Sequence, residues 1–279
     1  MELIRMKDFL FLKKQAMHVR QRIISAADYC NEKVHWGSSL SCVEILLSLM
    51  SDVSNLTKKN VENNDRDIII VSKGHAALAY YAVMEECGLL EGNFIADYQK
   101  NGSKYPEELV KDESLNIECS TGSLGIGLPY AVGVAIQGKR KGDMKRIFCL
   151  VGDGECDEGS IWEAIMLASQ LKLDNLTLII DLNGLQADGE TKKIIDWSGI
   201  EAIFNAFGWK TRKVNGHNFE ELRLALIEKS KVPSVVIAET IKGKGISFME
   251  NDFSWHDQVL NKDLLQKAKE EVGLNSVTI

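Results

Sequence analysis

Two short turns in this 279-residue chain carry the residue types needed to hold an anion through a cation. The first is Gly152-Asp153-Gly154, directly after the apolar run Ile147 to Val151. Glycines let a backbone approach an anion closely, and the carboxylate between them can hold a cation that neutralises it. The second is Asp181-Leu182-Asn183-Gly184-Leu185, directly after the next such run, Thr177 to Ile180. If the two runs are neighbouring strands, Asp153 and Asn183 meet at one sheet edge. A hard cation such as Mg2+ could then take the Asp153 carboxylate, the Asn183 amide oxygen, a backbone carbonyl near Leu185, two diphosphate oxygens and a water, an all-oxygen shell of about six. Gly-Asp-Gly alone is more often a plain turn. Joined to Asn-Gly at this spacing, each piece ending a strand, it signals a metal-diphosphate site.

Placing those turns side by side requires parallel strands, and the sequence supplies them. Short β-branched runs at Ile68 to Val71, Ile147 to Val151, Thr177 to Ile180 and Val235 to Ile237 suit strands buried on both faces. Helical patterns lie between them at about Ala76 to Cys87, Leu128 to Gln137 and Phe219 to Lys229, and a stripe of Ile161, Ile165, Ala168 and Leu171 marks another. An N-terminal helical segment over about Met6 to Cys30 and a closing helix over Asp263 to Val272 flank this core. The charged stretch Lys139 to Arg146 reads as a turn. The expected fold is α/β, one domain over 1–279 with a doubly wound, mostly parallel sheet and helices on both faces. In such sheets ligands bind beyond the carboxyl ends of the strands, where both turns fall.

Composition narrows the partners. With 40 acidic against 33 basic residues and a net charge of −7, the chain lacks the clustered Lys and Arg that nucleic-acid binding needs. Cys119 to Gly138 is uncharged and long enough for a membrane span, but its first half holds Ser120, Thr121, Gly122, Ser123 and Gly125, so a glycine-rich turn feeding a buried helix is the better reading. The apolar run Phe9 to Leu12 is too short for a signal-peptide core. The six cysteines (Cys30, Cys42, Cys87, Cys119, Cys149 and Cys156) form no CxxC pair and read as reduced, which places the protein in the cytoplasm, away from membranes.

The stretch from Gly152-Asp153-Gly154 through Asn183 resembles the diphosphate-binding motif of thiamine diphosphate enzymes, and further segments resemble transketolase. Ser72-Lys73-Gly74-His75-Ala76 is similar to that family's SKGHA segment, and Ser120-Thr121-Gly122-Ser123-Leu124-Gly125 to its glycine-rich cofactor loop. Lys242-Gly243-Lys244-Gly245 with Trp255-His256 resembles its KGKG…WH region, and His35-Trp36-Gly37-Ser38-Ser39-Leu40 a segment near its N-terminus. The likeness runs in the family's order from about Arg20 to Asn261.

The resemblance implies thiamine diphosphate and Mg2+ as cofactors. It makes Asp153, Asn183 and the Leu185 carbonyl the metal ligands, with Ser38, Lys73, His75, Gly122, Ser123, Leu124, Gly154, Lys242 and His256 as cofactor contacts. Lys73 and Lys242 would supply the positive charge that a divalent ion leaves missing beside a diphosphate of about three negative charges. Of the five histidines, His35, His75 and His256 fall in matched motifs and become the candidates for polarising a ketose donor and moving protons. His18 reads as structural, and His217 as a brace for the turn after a strand. Glu158 suits a helix N-terminus and, through the resemblance, a carboxylate contact across a subunit interface.

Two departures qualify the likeness. Tyr105, in Ser103-Lys104-Tyr105-Pro106-Glu107, stands where the family has a histidine that touches the donor, and Asp257 replaces a glycine after Trp-His. Full transketolases are more than twice this length, and the glutamate that activates the cofactor lies in a second domain. The chain therefore resembles the N-terminal subunit of a split enzyme, which implies a separately encoded C-terminal subunit, a heterotetramer, and sugar or sugar-phosphate substrates for two-carbon ketol transfer. The rival readings are the α subunit of a 2-oxo acid dehydrogenase, which lacks the KGKG…WH and SKGHA segments, and a non-catalytic assembly subunit.

Overall fold

The computed structural model describes residues 7–30, 32–60, 66–143 and 145–274. Five parallel strands form one sheet: β1 (Ile68–Val71), β2 (Ile147–Gly152), β3 (Leu176–Leu182), β4 (Lys210–Asn215) and β5 (Ser234–Glu239), in the order β1-β2-β3-β5-β4. β2 and β3 are neighbours, with Gly152 opposite Asp181, so the two sequence turns leave the same sheet edge together.

Alternation along the strands sorts the core into two layers. Ile69, Val71, Phe148, Leu150, Ile179 and Val236 face one cluster, and Ile68, Ile70, Ile147, Cys149, Leu178 and Ile237 face the other. The first layer is covered by α1 (Phe9–Ala26), α2 (Trp36–Ser41), α3 (Val43–Leu47) and α4 (Ala77–Glu86), with the short α5 (Phe94–Asp97) beyond. The second is covered by α6 (Gly127–Lys141), α7 (Gly159–Gln170) and, past the single turn α8 (Thr191–Ile194), α9 (Ile200–Ala206). The chain then returns to the first layer with α10 (Phe219–Ile227) and α11 (Lys262–Glu271). A sheet covered on both faces explains why the strand runs are uninterrupted apolar stretches.

The expected N-terminal helix spans Phe9–Ala26, and Met6 lies outside the described residues. Two expectations are corrected, and one strand was not foreseen. Lys139, Arg140 and Lys141 belong to the last turn of α6, where their charge complements the carbonyl end of the helix, and Gly142 at φ +69° ends it. Leu171 lies just past α7 and is 42% exposed, outside the buried stripe of Ile161, Ala164, Ile165 and Ala168. β4 carries no apolar signal because Lys-Thr-Arg-Lys-Val-Asn is an edge strand, where exposed charge guards against further pairing. The uncharged run from Cys119 divides into a loop and α6, and among the described residues no helix is long and apolar enough to cross a membrane.

Candidate active site

The sequence-predicted residues converge at the carboxyl ends of β1, β2, β3 and β5. After β2, Asp153 is 3% exposed; its Oδ1 accepts from the Gly154 N–H at 2.9 Å, and its Oδ2 from the Gly184 N–H at 2.7 Å and the Thr191 hydroxyl at 2.9 Å. After β3, Asn183 Oδ1 accepts from the Leu185 N–H at 3.1 Å, and the Leu185 carbonyl accepts from Lys242 Nζ at 3.1 Å. Asp153 Oδ1, Asn183 Oδ1 and the Leu185 oxygen each take one hydrogen bond and keep a lone pair free. Burial, with Asp181 adding, pushes the Asp153 carboxyl up to about 6. A carboxylate so placed is short of positive charge, and an all-oxygen donor set suits Mg2+.

The two site lysines differ. Lys73 and Asp181 form an ion pair at 1% and 0% side-chain exposure. Asp181 also accepts from the Ser41 hydroxyl at 2.6 Å and from the Thr240 hydroxyl, and Lys73 reaches the Ser38 carbonyl at 3.2 Å. Burial opposes both charges, yet the pairing holds Asp181 below the ordinary carboxylate range and Lys73 above the ordinary lysine range. Lys242 is equally buried but makes no ion pair among the described residues, and burial, with Lys73 nearby, pushes it down to about 8. Gly37 makes room for it, since a Cβ there would come within 2.8 Å of Lys242 Cγ. Lys242 is thus the ammonium group left for an anion, and Lys73 is already neutralised.

His35, His75 and His256 come together from three separate segments, with ring centroids 5.2 to 5.6 Å apart. His256 Nδ1 lies 3.0 Å from Lys242 Nζ, which joins this cluster to the turn after β3. Burial and neighbouring positive charge push His75 well down, chiefly through Lys73, and His256 to about 3, chiefly through Lys242, so both rings are neutral near pH 7. Tyr105 does not join them. It is 4% exposed and its ring packs edge-on against Tyr81 at 5.4 Å, so this departure from the family's histidine places a phenol in an aromatic core.

The glycine-rich loop is held by a residue that the motif reading passed over. Glu155 accepts from the Ser72 hydroxyl, from the Gly125 N–H at 2.9 Å and from the Gly152 N–H at 3.2 Å, tying together the ends of β1 and β2 and the loop. Gly74 and Gly122 are in close contact, because a Cβ on Gly74 would lie 2.6 Å from the Gly122 nitrogen. Ser123 is exposed and Leu124 half-buried on this loop, and Glu158 is the exposed N-cap of α7, with no capping bond from its side chain. The only hint of Glu155 in the sequence was a second acid two residues after Asp153.

A second unforeseen group brackets Lys242. Arg20 grips Glu44 with two hydrogen bonds of 2.7 and 2.9 Å and donates through Nε to the Lys244 carbonyl at 2.8 Å. His217 Nε2 accepts from the Ile241 N–H at 2.9 Å, which places the ring proton on Nδ1, facing Glu44 at 2.9 Å. His217 therefore braces the turn after β5 with its ring, and only its backbone N–H, donating to Asn215 Oδ1 at 2.9 Å, serves its own turn.

Comparison with known proteins gives the family and the fold. The family described as “Transketolase, thiamine diphosphate binding domain” matches residues 13–278. The chain is 41% identical over 263 residues to an apulose-4-phosphate transketolase subunit of Actinobacillus succinogenes, covering 94% of this chain and 95% of that protein. It is 34% identical over 242 residues to a 6-deoxy-6-sulfo-D-fructose transketolase subunit of a Clostridium species, covering 85% and 88%. Among solved structures, a transketolase from Campylobacter jejuni superposes with a TM-score of 0.86 at 30% identity over 96% of this chain, which spans only 44% of that longer polypeptide.

Proposed function

The chain belongs to the transketolase family through its thiamine diphosphate-binding domain, and from that premise we propose that it is the N-terminal subunit of a split, Mg2+-dependent transketolase. The observation that carries this reading is the junction of two groups at one sheet edge. A buried oxygen set after β2 and β3 is joined through Lys242 to three histidines from distant segments. Relatives of nearly the same length are named as transketolase subunits, which supports a split enzyme over the 2-oxo acid dehydrogenase and assembly-subunit readings.

In this proposal Asp153, Asn183 and the Leu185 carbonyl hold Mg2+ against the diphosphate, Lys242 meets the remaining charge, and the Lys73–Asp181 pair stiffens the floor beneath them. Ser38, Gly122, Ser123, Leu124 and Gly154 line the approach, and Glu158 is a contact for a neighbouring subunit. When bound, thiamine diphosphate supplies the nucleophile and electron sink for breaking a carbon–carbon bond. His75 and His256, held neutral, hydrogen-bond the ketose hydroxyls and orient them for proton transfer, and His35 completes that wall.

The rest of the site belongs to a second chain. α6 begins immediately after the glycine-rich loop, packs on α7, and the two helices with the residue before them expose Ile126, Tyr130, Met166 and Leu167. An apolar surface beside the cofactor loop fits burial against a C-terminal subunit, in a cytoplasmic heterotetramer with 1–279 acting as one diphosphate-binding domain. Ketol transfer between sugar phosphates is the test. The purified chain is expected to be inactive alone and active with a C-terminal subunit, and full turnover by the chain alone would refute the split reading.

A further inference from the structure

Beside the histidine cluster three side chains converge, two of them in an ion-pair contact that lacks hydrogen-bond alignment. His35 Nδ1 and Glu107 Oε1 are 2.8 Å apart, and a ligand atom from each of His35, Glu107 and Asp257 lies within 4.8 Å of the others. His35 Nδ1, Glu107 Oε1 and Asp257 Oδ1 are all shielded from solvent, and none is aligned for a hydrogen bond with any described residue. Buried polar atoms are seldom left without a hydrogen bond, so three in one place point to an occupant.

The convergence is built by the fold. Val34 and Gln258 form a two-bond antiparallel bridge of 3.1 and 3.2 Å, and the Trp36 indole donates to the Gln258 carbonyl at 2.8 Å, which fixes His35 and Asp257 side by side. Glu107 is delivered by a third segment whose preceding residues are anchored, Tyr105 in the aromatic core and the Pro106 carbonyl by the Tyr81 hydroxyl at 3.2 Å. Lys33 lies 3.6 Å from Asp257 Oδ2, leaving Oδ1 turned inward.

We propose that His35, Glu107 and Asp257 form a second divalent-cation site, for a transition metal of the zinc type. Two carboxylates and a neutral imidazole balance a 2+ ion, and a nitrogen donor selects Zn2+ or Co2+ over Mg2+, whereas the oxygen-only set at Asp153 does the reverse. Three protein ligands leave coordination positions open, as in exchangeable rather than structural zinc sites. A cation bound here would hold His35 and restrain the wall facing the donor; that consequence rests on the transketolase reading, whereas binding itself does not.

The test titrates Zn2+ into the full-length chain by calorimetry with excess Mg2+ present, and repeats it with Co2+ by absorption spectroscopy. One Zn2+ per chain is expected, weakened by at least about tenfold in Glu107→Gln and separately in Asp257→Asn, both checked for folding by circular dichroism, with visible Co2+ bands and no thiolate charge-transfer absorption. The site is refuted if the wild-type chain takes up no stoichiometric Zn2+, if both folded variants bind as tightly as wild type, or if thiolate absorption puts the metal on a cysteine.

Discussion

The two ends of the site are built on opposite terms. At the diphosphate end, Asp153, Asp181, Lys73 and Asn183 sit at strand ends, and each carboxylate oxygen there has at least one donor within the chain. At the histidine end, His35, Glu107 and Asp257 come from loops, are 18 to 33% exposed at the side chain, and keep ligand atoms without an aligned hydrogen bond among the described residues. The first is a preorganised cradle whose cost was met in folding the sheet; the second waits for other molecules to complete it. Substitutions at the first should therefore act on binding and stability, and those at the second on turnover.

The largest separation is expected from Asp153→Ala. It should abolish cofactor-dependent activity of the assembled enzyme while thermal unfolding of the free chain stays within a few degrees of wild type, because a carboxylate already pushed up to about 6 by burial adds little to the apo fold. Wild-type activity in that variant would break the metal assignment. Asp181→Asn strips the counter-charge from a fully buried lysine and should cost about 3–5 kcal/mol in a urea melt, since breaking one side of a buried pair leaves the other uncompensated. His256→Ala should lower turnover by about a hundredfold, with cofactor affinity changed far less; steady-state kinetics and calorimetry on one preparation would separate the two.

How much of this contrast was legible follows from where its residues lie. The cradle could be read because its members sit directly after strands whose β-branched runs announce them, and because Gly-Asp-Gly is joined to Asn-Gly at a spacing that sets both at one sheet edge. Glu155 and Asp181 were missed as partners because a single acid near a turn carries no signal until the strands are paired. The histidine wall was legible only through family motifs, since His35, His75 and His256 are far apart in sequence. The aromatic burial of Tyr105 and the convergence of Glu107 with Asp257 depend on loop packing that no local spacing encodes.

Two smaller effects sharpen the comparison. Burial pushes Glu44 up, but Arg20 and His217 more than offset this and hold it down to about 2. A carboxyl whose folded pKa lies below its unfolded one contributes stability that is present above about pH 4.5 and lost as pH falls toward 2, here on the order of 2–3 kcal/mol. Unfolding measured from pH 6 to pH 3 should show this loss, and Glu44→Gln should flatten the slope. The smallest effect is expected from Tyr105→Phe, because the ring packs in the aromatic core and is retained in the variant. Donor KM and turnover should stay within about twofold, and stability within about 1 kcal/mol. A large rise in donor KM would return Tyr105 to the site.

The central claim is that a cation held by Asp153, Asn183 and the Leu185 carbonyl docks a diphosphate in this chain. Its most direct measurement is calorimetric titration of thiamine diphosphate into the chain assembled with a C-terminal subunit, in Mg2+ and again in EDTA, for the wild type and Asp153→Asn. Binding that requires Mg2+ and is lost in the variant is the predicted result. Equal affinity with and without the metal, or an unaffected variant, would contradict it.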